Sequence, residues 1–117
     1  MAEAWPSELR LHENGTRLTI QFDDASCYDL PAEYLRVESP SAEVQGHSPS
    51  ERQTIGGKRN VRIVDVKPVG NYAVRLDFDD GHNTGIFSWV VLAELGRDYD
   101  AKWAAYLKAL EARGLSR

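Results

Sequence analysis

Three histidines, His12, His47 and His82, are the side chains best suited to metal or proton chemistry near neutral pH. His82 follows Asp79 and Asp80, so an imidazole and two carboxylates lie within one short stretch. His47 joins that grouping only if its own segment folds back. The candidate metal set is therefore His82, His47, Asp79 and Asp80. A solvated turn is the plainer reading, because Asp23-Asp24 shows the same acidic pair with no histidine. A second grouping is basic: Arg52, Lys58, Arg59 and Arg62, with Glu51 as the nearby acid. It suits an acidic partner or a phosphate, or is simply a solvated loop edge.

Sequence signatures of catalysis fail one by one. Gly57-Lys58 is followed by Arg59 where a phosphate-binding loop needs Ser or Thr, and no glycine stands five residues before Gly57. There is no Gly-x-Gly-x-x-Gly fingerprint and no Gly-x-Ser-x-Gly elbow. Cys27, the single cysteine, excludes an internal disulfide and a multi-cysteine zinc knuckle. It falls in a strand beside Tyr28 with nothing adjacent to lower its pKa, so a buried, inert thiol is expected. Pairing Asp77 or Asp79 with Asp24 for acid–base work finds no support in the spacing, and alternation turns Asp77 away from Phe78. The expectation is a protein that is not an enzyme and carries no cofactor.

The chain that positions these groups has 117 residues, the length of one domain, 1–117. Its 42% hydrophobic and 27% charged content is that of a globular protein and excludes wholesale disorder. Net charge is −4 with a pI near 5.3, which disfavours generic nucleic-acid binding. No apolar run approaches the ~20 residues of a membrane span. The first ten residues lack the apolar stretch of a signal peptide. A soluble, cytoplasmic protein is expected.

Alternation predicts strands over Ser7–His12, Arg17–Phe22 and Ser26–Leu30, with turns at Glu13-Asn14-Gly15 and Asp23-Asp24-Ala25. Pro31 opens a helical turn to Arg36. The second half repeats the plan. Strands are predicted over Asn60–Lys67, Tyr72–Phe78 and Asn83–Phe87, with turns at Pro68-Val69-Gly70-Asn71 and Asp79-Asp80-Gly81-His82. Ser88 then caps a helix of Trp89, Val90, Leu92 and Leu95 that Gly96 stops.

The halves align at an offset of 56, placing Phe22-Asp23-Asp24 on Phe78-Asp79-Asp80, Leu30 on Ile86 and Leu35 on Val91. A duplication and a reuse of the same turn chemistry both account for this. A final helix, 98–113, carries Trp103, Tyr106, Leu107 and Leu110 at helical spacing and ends at Gly114. Asp98 or Asp100 can cap it. The fold class is α+β: small antiparallel or mixed sheets in two similar strand-strand-strand-helix halves, plus a C-terminal helix. Residues 38–59 form a long polar connector rich in Ser, Pro and Gly, which is either functional or disordered.

Two stretches carry a resemblance. One is Leu30-Pro31-Ala32-Glu33-Tyr34-Leu35-Arg36 running into Ser39-Pro40-Ser41-Ala42-Glu43-Val44-Gln45-Gly46-His47. The other joins Pro68-Val69-Gly70-Asn71-Tyr72-Ala73-Val74 to the segment from Phe78 to Trp89. Together they resemble the gamma-butyrobetaine-hydroxylase-like N-terminal domain family over most of residues 7–96. That family occurs as small standalone bacterial proteins. Similar domains precede the oxygenase domain of carnitine-pathway hydroxylases, where they assist dimerisation, and are appended to some P-loop iron–sulfur carrier proteins.

In the hydroxylases three Cys and one His hold a structural zinc. Carried over, those positions fall on Ser39, Ser41, Val44 and His82, which implies that the zinc site is not retained. The resemblance does not import oxygenase activity, whose ligands belong to a separate, larger domain. Apolar packing by Trp89, Tyr34, Phe22, Phe78 and Leu35 is expected to join the halves without a metal. The functional expectation is a non-catalytic accessory or protein-interaction module, linked through family context to iron–sulfur or redox protein assembly. A metal-binding protein using His47 and His82 is the alternative. The partner is a protein of unknown identity, with Arg52, Lys58, Arg59 and Arg62 as its contact candidates. Edge strands also leave a homodimer open.

Overall fold

The alternating apolar positions of the sequence become the inner faces of two sheets. In the computed structural model, which describes residues 5–45 and 54–117, strands β1 (Pro6–His12), β2 (Arg17–Phe22) and β3 (Cys27–Pro31) form an antiparallel meander. Strands β4 (Ile63–Val69), β5 (Ala73–Phe78) and β6 (Gly85–Ser88) form a second. Helix α1 (Ala32–Val37) follows the first sheet, and a short α2 (Ala42–Gln45) follows α1. Helices α3 (Trp89–Arg97) and α4 (Tyr99–Ala112) follow the second sheet. The architecture is α+β: two three-stranded antiparallel sheets, each followed by a helix, plus a C-terminal helix. His47 and Arg52 lie outside the described residues.

Both sheets feed one core. Leu18, Ile20 and Phe22 of β2 meet Val74, Leu76 and Phe78 of β5 in a cluster that also takes Tyr34 and Leu35 of α1, Phe87 of β6 and Leu92 of α3. Trp89 packs against it half-buried. Each such side chain contributes roughly 1.5–3 kcal/mol on burial, and both halves supply side chains to this one cluster. Tyr34 ties them further: its hydroxyl donates to the Leu95 carbonyl at 2.7 Å, and its ring meets Tyr99 edge-on at 4.7 Å. Gly15 adopts φ +85, and an added Cβ would stand 2.2 Å from the Ile63 carbonyl oxygen, so the first hairpin abuts β4 at a point where only glycine fits.

The repeated turns are alike in detail. Phe22 N donates to Ser26 O at 2.8 Å, and Phe78 N donates to His82 O at 2.9 Å. Ala25 and Gly81 both take positive φ in those turns. Beyond them the second half carries one extra residue before its third strand. Val74 therefore pairs with Phe87, as Leu18 pairs with Leu30. Phe87, not Ile86, occupies the place of Leu30, and Ile86 faces outward at 45% exposure. The same extra residue puts buried Leu92, rather than Val91, in the role of Leu35.

Other expectations are corrected. Gly96 does not stop α3, which runs to Arg97. It sits inside the helix because a Cβ there would lie 2.3 Å from the Tyr28 ring. Cys27 is exposed rather than buried, because the outward register of β3 belongs to Cys27 and Asp29 while Leu30 turns inward. The Asp98 carboxylate does not cap α4 but pairs with Arg97 at 3.2 Å. Strand β4 begins at Ile63, and Asn60 lies in the turn before it. On α4, Tyr106 and Leu110 are buried and Trp103 half-buried, whereas Leu107 lies outside the stripe at 39% exposure.

Candidate functional site: the junction between the two halves

Helix α1 is buried on all sides, yet its sequence includes Glu33 and Arg36. A charge at such a depth requires a partner. Arg36 Nε donates to Asp80 Oδ2 at 2.8 Å, and Lys58 Nζ reaches the same oxygen at 2.6 Å. The other carboxylate oxygen of Asp80 accepts from the His82 backbone N–H at 3.1 Å. Asp80 thus stands between two cations, its side chain 17% exposed. Burial works to raise its pKa, but the hydrogen bonds from Lys58, the His82 backbone and Arg36 outweigh burial and hold it down at about 2. Glu33, 5% exposed, is gripped by the Arg117 guanidinium through two bonds of 2.8 and 3.1 Å.

Beside the ion cluster lies a hydrogen-bonded polar one. His82, 3% exposed, shares a 2.9 Å hydrogen bond between its Nε2 and the Oγ of fully buried Ser39. Ser39 Oγ also accepts from the Ser41 backbone N–H at 3.3 Å. Ser41 Oγ meets Thr84 Oγ1 at 2.7 Å, and Gln45 Nε2 donates to the Ser39 carbonyl at 2.8 Å. Gly85 makes room for this arrangement, since a Cβ there would approach Ser39 Oγ to 2.5 Å. Every bond from Ser39 to His82 or from Ser41 to Thr84 joins the end of α1 to the β5–β6 turn. The site is therefore a polar clasp between the halves.

Of the candidate metal residues, Asp79, Asp80 and His82 are described, and each has a protein partner. Asp79 Oδ1 accepts from the Arg62 backbone N–H at 3.0 Å, Asp80 is engaged by Arg36 and Lys58, and His82 faces Ser39. Among the described residues no group of three His, Cys, Asp or Glu side chains is placed to hold a metal ion. His12 stands apart on the outer face of the first sheet, its Nε2 2.8 Å from Thr19 Oγ1 and 3.4 Å from Asp29 Oδ1.

The described members of the basic cluster, Lys58, Arg59 and Arg62, have different surroundings. Lys58 is not a free contact cation but an ion-pair partner of Asp80. Arg62 is exposed, and Arg59 lines a cleft on another side of α1. Asp77 faces away from the core as expected, covered by Arg75 at 2.8 Å and Lys67 at 3.1 Å.

Family membership follows from comparison with known proteins. The sequence profile described as gamma-butyrobetaine hydroxylase-like, N-terminal, matches residues 9–93. The chain belongs to this family. Among solved structures, one protein known from an NMR solution structure is 48% identical, with a TM-score of 0.84 over 99% of this chain and 91% of its own. A second NMR solution structure is 44% identical, with a TM-score of 0.83 over 97% of this chain and 85% of its own. A crystal structure of a protein of unknown function from Acidithiobacillus ferrooxidans, of the DUF971 family, is 41% identical, with a TM-score of 0.65 over 78% of this chain and 91% of its own. A search of curated proteins returns no match.

The family resemblance aligned Ser39, Ser41 and Val44, close in sequence, with the distant His82, and the fold brings them to one junction. Ser39 bonds His82, while Val44 is buried one turn beyond Ser41, its N–H on the Ser41 carbonyl at 3.0 Å. One imidazole, two hydroxyls and an alkyl side chain do not form a zinc donor set. Here these positions hold a hydrogen-bonded clasp instead. Residue chemistry had not singled out Arg36, Lys58 or Glu33 as part of the junction. A charge inside a buried helix was the available signal, but the burial of α1 is not visible in six residues of sequence.

Proposed function

We propose that this protein is a non-catalytic accessory module that works by docking to another protein. One observation carries the reading: the chemistry-bearing side chains that the fold gathers are engaged with one another across the junction. His82 with Ser39, and Asp80 with Arg36 and Lys58, fasten the halves rather than face a substrate. Exposed apolar groups lie elsewhere. Ile86 at 45% and Val90 at 41% exposure flank the passage from β6 to α3, and Tyr72 at 57%, in the turn before β5, is tied to that passage by the Trp89 N–H, which donates to the Tyr72 carbonyl at 3.1 Å. Among the described residues no helix is long and apolar enough to cross a membrane.

Resemblance to domains appended to P-loop iron–sulfur carriers supports a partner in iron–sulfur or redox protein assembly. The test is affinity purification of the full chain from a native extract, followed by mass spectrometry. The expected result is enrichment of an iron–sulfur or redox protein that is lost with Tyr72→Ala/Ile86→Ser. An enrichment profile equal to that of an unrelated bait would overturn the proposal.

A further inference from the structure

We propose that a cleft between β2, α1 and α4 binds a small organic anion, a planar carboxylate or phosphate ester whose charge is taken by Arg59 and whose ring lies against Trp103 and Tyr99. The cleft encloses about 350 Å³ and forms where three parts of the chain meet: the first sheet with α1, the segment entering β4, and the C-terminal helix. That volume is at the lower end of small-molecule sites, roughly 300–1,000 Å³.

Three guanidiniums line it, but they are not equivalent. Arg117 is committed to Glu33 through its two bonds, and Arg17 to Asp29 at 3.0 Å. Arg59 has no ion pair or hydrogen bond with any described residue. It is the lining cation left for a ligand, and a guanidinium matches a carboxylate or phosphate through paired N–H donors.

The aromatic wall is already oriented. Trp103 lies nearly parallel to Tyr99, centroids 6.3 Å apart at 13°, and the Arg117 guanidinium sits 5.2 Å from its ring centroid. Both rings are half-buried and keep part of their surface open. A bare inorganic ion would meet Arg59 alone and gain nothing from this wall, so the ligand needs a flat apolar body. Glu13 at the lining disfavours polyanions, which points to an organic anion of low charge rather than a nucleoside triphosphate.

The experiment is an NMR titration of the ¹⁵N-labelled full chain with phenyl phosphate, benzoate, neutral benzamide and inorganic phosphate. Saturable shifts of the Trp103 indole N–H are expected for at least one aromatic anion, with Kd about 1 mM or tighter. Benzamide and inorganic phosphate should bind at least about tenfold more weakly. Comparing phenyl phosphate with benzoate tells which anionic group the site prefers. Arg59→Ala should weaken binding about tenfold or more while the remaining spectrum stays folded, and Arg59→Lys should restore part of it. Arg62→Ala, outside the cleft lining, should leave binding unchanged. The proposal is overturned if neither aromatic anion gives saturable shifts, or if Arg59→Ala binds as tightly as the unaltered chain.

Discussion

Replacing Asp80 by Asn keeps the shape of the side chain and removes the charge that two cations share. Arg36 Nε lies 2.8 Å and Lys58 Nζ 2.6 Å from Asp80 Oδ2, and Arg36 is only 10% exposed there. Asp80 is held at about 2 against an ordinary 3.8. Because the folded-state pKa is depressed, its contribution is fully present above the unfolded value. It is lost as pH falls from about 4 through about 2. At about 1.4 kcal/mol per unit, this linkage corresponds to about 2 kcal/mol at neutral pH. The uncompensated guanidinium left in Asp80→Asn adds to the loss, since breaking a buried pair costs roughly 3–5 kcal/mol in fully buried cases.

A destabilisation of about 2–4 kcal/mol is therefore expected in urea unfolding at pH 7. At a few degrees per kcal/mol, the lower end lowers Tm by roughly 6–12 °C. The same measurement between pH 5 and pH 2 carries the sharper test. The unaltered chain should lose stability faster than Asp80→Asn, so that the two curves converge toward pH 2. Adding Arg36→Met to Asp80→Asn should recover part of the loss by removing the stranded charge. A destabilisation under about 0.5 kcal/mol at pH 7, the size of an ordinary surface change, with parallel pH curves, would refute the account of the junction as an ion-fastened clasp.

Further substitutions probe the packing around it. Gly85→Ala should cost about 1–3 kcal/mol, because its Cβ meets Ser39 Oγ at 2.5 Å; denaturant unfolding should show that Ser39→Ala relieves much of this cost when the two are combined. Gly96→Ala gains helix propensity of up to about 1 kcal/mol but drives a methyl into the Tyr28 ring at 2.3 Å, so a net loss of stability by thermal melting is expected. Tyr34→Phe removes the 2.7 Å bond to the Leu95 carbonyl and should cost about 1–2 kcal/mol by urea unfolding. Ser39→Cys/Ser41→Cys/Val44→Cys, with His82 unchanged, should bind about one equivalent of zinc by elemental analysis and gain Tm on zinc addition. No zinc uptake by that variant would show that these four positions cannot supply a tetrahedral site.

Local chemistry was enough to write much of this fold. The alternation of Leu18, Ile20 and Phe22, and of Val74, Leu76 and Phe78, names the inner faces of β2 and β5, because a strand exposes its sides with a period of two. Acidic turns at Asp23-Asp24-Ala25 and Asp79–His82 close hairpins through matching hydrogen bonds, and Ser88 Oγ accepts from Val91 N at 3.1 Å as a helix cap should. Such signals live within a few residues and survive any tertiary arrangement.

Long-range partners do not. Arg36 and Asp80 stand 44 residues apart, and Glu33 and Arg117 stand 84 apart. Their union depends on how α1 is enclosed by the second half and the C-terminal tail. Gly96 reads as a helix stop until the Tyr28 ring is placed against it, and Ile86 aligns with Leu30 until one extra residue moves Phe87 into that place. Packing of two halves into one core thus assigned the roles of Lys58, His82 and Asp80, turning groups with the chemistry of a metal or anion site into fasteners. A charge or imidazole takes its task from what is buried beside it, and that neighbour is set by the whole chain closing on itself.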